Sequence, residues 1–392
     1  MHFEFNEEQI ALRDMVRKFT EKEVAPYYTQ WDREKKYPKH INKKIGELGL
    51  IGMAIPPDKG GMGASHVTEG MVCEEVSRGD CSLTMSTFVV GHLDAEILAH
   101  GNDKIRKEFL EPFLAGDQIP AFAITEPGSG TDAVAMKATA IKKGAKYILN
   151  GEKAGITAMM DADFAIVFAK TDPAAGARGV SCFVVPTKYP GVELQSYEDM
   201  GVRSVARGSI FMDDVEIPED YLIGKEGTGF VMGMQGFDVS RILLALEAIA
   251  PAMVSLEETI EYTKQRSAFG RPIATFEGVS FPIVEHISML EAVRLLCYQG
   301  LWLRDQGRSS SKVAGMVKWM APRFSTTPFG IASFCTGIRA IRASFPLSRD
   351  CGMFWLLKLR MERRRFRNSW LSGKSSAEII CPISIATNRG RS

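Results

Sequence analysis

Phe122-Ala-Ile-Thr-Glu-Pro-Gly-Ser-Gly-Thr-Asp132 opens as an apolar run of strand character and then breaks at Pro127. Gly128 and Gly130 bracket Ser129 at that break, so the backbone must turn tightly there. Such a turn presents successive N–H groups, with the hydroxyls of Thr125, Ser129 and Thr131, to one concavity. That concavity is a seat for a polar ring edge or a phosphate. Taken alone, the same residues are equally a strand followed by a structural turn.

Upstream of this stretch the pattern is helical. Asn6 followed by Gln9 has capping-box spacing, and Ile10, Leu12, Met15, Val16 and Phe19 recur at helical intervals until Pro26 closes the run. Further helices are predicted over about 41–48, 65–78, 82–100 and 103–115, which makes residues 1–119 an all-helical domain. Residues 120–228 change to period two, with β-rich runs at Phe164-Ala-Ile-Val-Phe-Ala169, Ser181-Cys-Phe-Val-Val-Pro186 and Ser209-Ile-Phe-Met212. Turn signals stand at Asn150-Gly151, Pro190-Gly191 and Asp213-Asp214, predicting a small antiparallel β-domain, a barrel or a sandwich. After Gly227-Thr-Gly229 helices return; 229–265 and 277–305 are long and amphipathic, so residues 229–326 are predicted to form a bundle. The fold class read from these patterns is α+β: helical domain, antiparallel β-domain, helical bundle.

A chain of 392 residues has room for two or three domains with sizeable cores, and 45% hydrophobic with 24% charged residues is a globular composition. No apolar run reads as approaching a membrane span, so membrane insertion is not expected. The N-terminus, Met1-His-Phe-Glu-Phe-Asn-Glu-Glu8, is acidic where a secretory or mitochondrial leader is basic. Seven scattered cysteines without a CxxC pair point to reduced thiols and a cytoplasmic setting. The six histidines show no ligand spacing, His92 and His100 lying eight apart, and no metal is expected.

Three more motifs follow the opening stretch in order. Asn150-Gly-Glu-Lys153 leads into Gly155-Ile-Thr157; its Asn-Gly pair is by itself a hairpin signal. Phe237-Asp-Val-Ser-Arg241 sets a carboxylate and a guanidinium three apart on one helix face, by itself a simple ion pair. Arg266-Ser-Ala-Phe-Gly270 offers planar donors that can hold two diphosphate oxygens, although a lone Arg near a helix end is usually a surface residue. Together these stretches resemble the acyl-CoA dehydrogenase family up to about residue 326. The resemblance implies that Phe122, Ala123, Ile124, Thr125, Gly130, Thr131, Gly155, Ile156 and Thr157 contact FAD. It implies that Arg266 and Phe269 reach the FAD of a neighbouring subunit, with Glu277 near the adenosine end where the family commonly has Gln. It also implies that Thr131, Phe237, Asp238 and Arg241 meet the acyl-CoA, in a homotetramer that passes electrons to an electron-transfer flavoprotein. The activity implied is α,β-desaturation of the thioester: hydride leaves the β-carbon for the flavin while a carboxylate removes the α-proton, and hydrogen bonds to the thioester oxygen stabilise the enolate-like charge.

The family's usual base, a Glu before a Gly-Thr pair in the final helical segment or on an earlier helix, is not identifiable here. Asp94, in Gly91-His-Leu-Asp-Ala95, aligns by the following Gly101-Asn-Asp103 with the helix that lines the acyl pocket in the family. An Asp at such a position is, on its own, more often solvent-facing. The family usually has an aromatic where Gly155 stands, and its loss widens the site. An acid at Asp94 in a wider site fits a compact ring, and the chain is similar to members acting on cyclohexane- or cyclohexene-carboxyl-CoA. A short- or branched-chain acyl-CoA dehydrogenase and a non-catalytic FAD- or CoA-binding remnant are the alternatives.

From Thr327 to Ser392 the chain carries 12 Lys+Arg against 3 Asp+Glu, a net of +9; the part before carries 36 against 44, a net of −8. Helical periodicity is expected to end at Thr327, where Cys335, Cys351, Cys381, Trp355, Trp370 and Arg363-Arg-Arg365 follow. A basic tail for nucleic acid or membranes is one reading. Phe, Leu, Ile and Trp are interleaved too freely for a solvated tail, and no nucleic-acid partner is expected. Permissible codons for Met353 through Glu378, read one frame over, can spell VLAIEIADGTAEVQKLMVVREILGR, and those before them a YGHSGYSSEFP-like segment. Both look like the missing end of an acyl-CoA dehydrogenase, which makes residues 327–392 an aberrant tail produced by a reading-frame change. The base in the restored segment would be the Asp before Gly-Thr.

Overall fold

The computed structural model describes residues 4–336. The capping box forms: the Gln9 amide donates to Asn6 Oδ1 at 2.8 Å, and the Asn6 amide to Gln9 Oε1 at 3.1 Å. Helix α1 (Glu7–Phe19) then continues through a π-helical turn, Thr20–Val24, and stops before Pro26. The helical layer continues with α2 (Tyr28–Glu34), α3 (Lys39–Glu47), α4 (His66–Ser77), α5 (Cys81–Thr84), α6 (Gly91–Leu98), α7 (Asp103–Ile105) and α8 (Glu111–Leu114). Further π-helical turns, Met85–Val90 and Arg106–Leu110, fuse α5 to α6 and α7 to α8. The predicted helices at 82–100 and 103–115 are those fused pairs; α2, one short helix of weak periodicity, was not anticipated.

Strands β1 (Pro120–Ala123), β2 (Thr139–Lys143), β3 (Lys146–Ile156), β4 (Phe164–Lys170), β5 (Val180–Pro186), β6 (Val192–Ser196), β7 (Gly208–Pro218) and β8 (Leu222–Ile223) form one sheet. Its order is β6-β7-β3-β2-β4-β5-β8, with β1 beside β4. The expected antiparallel pairing holds except that β1 and β2 both run parallel to β4. Two predicted turns are corrected. Asn150-Gly151 lies inside β3 and Asp213-Asp214 inside β7, where the register shifts as a bulge between Leu149 and Gly151. The two pairs satisfy one another: Asn150 Nδ2 donates to Asp214 Oδ1 at 2.9 Å and the Asp214 amide to Asn150 Oδ1 at 2.8 Å. Residues that favour turns thus serve equally well in a bulge that bends two paired strands. The hairpin that precedes β3 turns instead at Gly144-Ala145, with Gly144 at φ 61°.

β4 shows why the sheet sits centrally. Phe164, Ile166 and Phe168 face the helical core, whereas Ala165, Val167 and Ala169 face a second core enclosed by the sheet's own curl with Tyr147, Leu149, Ile210 and Val215. Burial on both faces makes β4 a continuous apolar run rather than an alternating one.

Beyond the sheet come α9 (Gly229–Gln265), the short hairpin β9 (Ser267–Ala268) with β10 (Arg271–Pro272), then α10 (Glu277–Asp305) and α11 (Ser311–Thr336). α9 packs on α4, α6, α10, α11 and β5. Its start approaches β5 so closely that a Cβ on Gly229 would lie 2.6 Å from the Ser181 carbonyl carbon. The expectation that no apolar run approaches a membrane span is corrected: α9 is long and apolar enough, but 83% of its most apolar stretch is buried inside the protein. The expected end of helical periodicity at Thr327 is also corrected, because α11 runs through Pro328 to Thr336. The helix is already established upstream, and propagation costs less than nucleation. Residues 337–392, which hold most of the proposed frame-shifted segment, lie outside the described residues.

Candidate functional site

The loop after β1 is held from beneath. The Glu126 amide donates to the Ser129 carbonyl at 2.9 Å and the Ser129 amide returns to Glu126 O at 3.1 Å, closing the turn that Pro127 and Gly128 begin. The Glu126 carboxylate points inward and accepts from the amides of Lys137 at 2.6 Å and Ala138 at 3.0 Å, and from Lys153 Nζ at 2.8 Å. Lys153 is completely buried and also donates to Ile124 O at 3.3 Å. Burial alone would push the Glu126 carboxyl up; its hydrogen bonds to Lys153, Ala138 and Lys137 outweigh that and hold it below the usual carboxylate range. Burial pulls the Lys153 ammonium below its ordinary value, with Glu126 opposing the shift. The Ala154 amide donates to Thr125 O at 2.8 Å, so the ends of β1 and β3 are fastened together.

Thr125, Gly130 and Thr131 are exposed on this loop, and Gly155 and Thr157 are half-buried beside it. Ala123, Ile124 and Ile156 are buried beneath. Ser129 Oγ is buried without a hydrogen-bond partner, and an added Cβ at Gly128, Gly130 or Gly155 would meet nothing within 4 Å. Gly155 has φ 68°, a conformation that penalises any larger residue. An orphaned hydroxyl beside open space over three glycines fits a flat polar ring system such as FAD. Sequence reasoning missed two parts of this arrangement. One is the Glu126–Lys153 pair, which no local pattern joins because the two residues lie 27 positions apart. The other is Tyr197, whose hydroxyl accepts from the Gly155 amide at 3.1 Å and lies 2.7 Å from Ser209 Oγ; no local signal marked it.

Of the residues expected to meet the acyl-CoA, Phe237 packs against β1 beside this loop. Phe237 on α9 meets Phe122 edge-on at 5.7 Å, and Phe122 packs on Phe168 at 5.1 Å. Arg241 donates to Asp238 at 2.8 Å and lies over the Phe237 ring at 5.6 Å; Ser311 at the start of α11 also donates to Asp238. Arg266, Phe269 and Glu277 gather elsewhere, around the β9–β10 hairpin. Phe269 is 97% exposed, and Arg266 and Glu277 are exposed as well. Among the described residues no hydrogen bond or ring contact links these three to the loop after β1. Replacing Arg266 by Ala is expected to lower the FAD-to-protein ratio after gel filtration without shifting the unfolding midpoint. Unchanged flavin content would remove Arg266 from the binding set.

Asp94 is not solvent-facing. It is 1% exposed, and neither carboxylate oxygen has a hydrogen-bond partner. Burial pushes its carboxyl well above the usual range. It lies near enough to Cys182 on β5 to add, after burial, to the rise in that thiol's pKa. A carboxyl group so placed stays protonated to unusually high pH and, once ionised, is a strong base.

The acyl-CoA dehydrogenase N-terminal, middle and C-terminal family models match residues 6–117, 121–215 and 227–349. The rat mitochondrial short-chain specific acyl-CoA dehydrogenase is 35% identical over 325 residues, 82% of this chain and 79% of that protein. Subunit CarC of the caffeyl-CoA reductase-Etf complex of Acetobacterium woodii is 35% identical, covering 81% and 84%. The cyclohex-1-ene-1-carbonyl-CoA dehydrogenase of Syntrophus aciditrophicus is 35% identical over 81% of this chain and 78% of its own. Among solved structures, butyryl-CoA dehydrogenase of Megasphaera elsdenii superposes with a TM-score of 0.86 at 28% identity, covering 91% of this chain and 95% of that one. A glutaryl-CoA dehydrogenase of Mycobacterium smegmatis in complex with FADH2 gives 0.84 at 25%, covering 90% of each.

Proposed function

The chain belongs to the acyl-CoA dehydrogenase family, whose members are FAD-dependent oxidoreductases, and from that premise we propose that it oxidises an alicyclic acyl-CoA thioester of the cyclohexane- or cyclohexene-carboxyl type. The observation that carries this reading is Asp94, an unpaired, fully buried acid on α6. The open space above Gly155 supports it by leaving room for a ring. FAD, when bound, supplies the hydride acceptor. Phe122, Gly130, Thr131, Gly155 and Thr157 shape its seat; Phe237, Asp238 and Arg241 orient the CoA arm. Asp94, once ionised, divides the proton chemistry on the ring with the Asp before Gly-Thr of the frame-restored segment. On a six-membered ring a base at this depth reaches a carbon beyond the α position, which permits 1,4-elimination from a cyclohexene-carboxyl thioester as well as α,β-desaturation of the saturated ring. Two electrons and two protons leave the substrate in either case, and the electrons pass to an electron-transfer flavoprotein. We further place the protein in the cytoplasm as a homotetramer in which Arg266, Phe269 and Glu277 reach the FAD of a neighbouring subunit. The domain limits proposed are 1–119, 120–228 and 229–326, with 327–392 as the aberrant tail.

The test is anaerobic bleaching of bound flavin in the frame-restored enzyme by cyclohexane-carboxyl-, cyclohexene-carboxyl- and butyryl-CoA. Bleaching by the ring thioesters at a fraction of the butyryl-CoA concentration supports the alicyclic reading; preference for butyryl-CoA overturns it in favour of a short-chain enzyme. No bleaching by any thioester leaves a FAD-binding remnant. The chain as written is expected to turn over poorly, and restoring the reading frame past residue 327 to raise both turnover and thermal midpoint. Parental rates equal to those of the frame-restored enzyme would end the frame-change argument.

A further inference from the structure

His66 and His92 are 26 residues apart and carry no ligand spacing in sequence, yet α4 and α6 bring them together. Each helix contributes a histidine and a carboxylate on one face: His66 with Glu69 at i,i+3, and His92 with Glu96 at i,i+4. One ligand atom from each of His66, Glu69 and His92 lies within 4.8 Å of the other two. His92 Nδ1 is 3.0 Å from Glu69 Oε1, and His92 Nε2 is 3.6 Å from Glu96 Oε1. His92 and Glu69 are each 2% exposed, and His92 Nε2 and Glu69 Oε2 have no hydrogen-bond partner. Behind His66 stands Asp305, at the end of α10. Its carboxylate accepts from His66 Nδ1 at 2.8 Å and from the His66 and Val67 amides at 2.7 and 3.1 Å. A carboxylate that holds Nδ1–H fixes the tautomer and presents Nε2 as a ligand, the arrangement that orients metal-bound histidines.

We propose that His66, Glu69 and His92 form a binding site for a divalent cation of the zinc class, with the Glu96 carboxylate as a fourth donor and Asp305 as the positioning residue. Two imidazoles with carboxylates suit zinc, and soft thiolate ligands are absent from the cluster. Metal in this position would satisfy the orphaned His92 Nε2 and Glu69 Oε2.

The test strips the full chain with a chelator and titrates Zn2+ by calorimetry, with Co2+ as the spectroscopic probe. One equivalent per chain is expected, with a Co2+ spectrum lacking thiolate charge transfer. His66→Ala should weaken binding by roughly a hundredfold or more, and Asp305→Asn by roughly ten- to a hundredfold. His66 is partly exposed, so its loss should leave the flavin content unchanged. If His66→Ala fails to fold, Asp305→Asn decides. No stoichiometric binding by the parent, a thiolate spectrum, or affinity that neither variant alters would overturn the site and leave the cluster a buried ion pair.

Discussion

Replacing Asp94 by Asn in the frame-restored enzyme is expected to slow turnover of ring thioesters by roughly a hundredfold to ten-thousandfold, the range that a positioned general base supplies. The same change in the chain as it stands is expected to raise thermal stability at pH 8. Burial holds the Asp94 carboxyl well above its ordinary value. Below the unfolded-state pKa both states keep the proton and nothing is lost. As pH rises through the usual carboxylate range toward the raised folded value, the unfolded chain ionises first and stability falls. Asn cannot ionise, so that slope should vanish in the variant. Thermal midpoints measured from pH 4 to pH 8 for parent and variant check the stability half. Full activity on the ring substrates would return Asp94 to a merely buried acid. An unchanged pH slope would mean that the carboxyl is hydrated or paired.

The second large effect is expected at Lys153. Lys153→Met leaves the Glu126 carboxylate buried with only the Lys137 and Ala138 amides for partners. Removing one member of a buried pair costs roughly 3–5 kcal/mol, because the remaining charge is left uncompensated. Glu126 closes the loop that carries Thr125, Gly130 and Thr131, so the loss should also release FAD. Glu126→Gln leaves the buried Lys153 ammonium uncompensated and a single oxygen for the two amides, so it should cost about as much. Urea unfolding and the ratio of flavin to protein absorbance read the two consequences separately. A Lys153→Met protein with parental stability and full flavin would show that the loop is held by its backbone bonds alone.

Much of this was legible in the sequence because it is local. The capping box at Asn6, the stop at Pro26, the short β-rich runs of β4 and β5 and the long helices α9 and α10 depend on residues within a few positions of one another. The motifs at Phe122, Gly155, Phe237 and Arg266 could be quoted for the same reason. The turn signals at Asn150 and Asp213 misled because Asn, Asp and Gly serve a bulge as well as a turn. Only the partner strand, more than 60 residues away, decides which forms.

The sequence by itself therefore determined the order of helices and strands, the family and the cofactor, since these rest on periodicity and on contiguous motifs. The tertiary structure alone decided the rest, which turns on burial. It placed Asp94 in a dry interior instead of on the surface and buried Lys153 against Glu126. It set the Tyr197 hydroxyl on the Gly155 amide and brought His66 to His92 across two helices. The charge state and reactivity of a side chain depend on the solvent it has lost and the groups it meets. Both are set by packing between residues far apart in the chain.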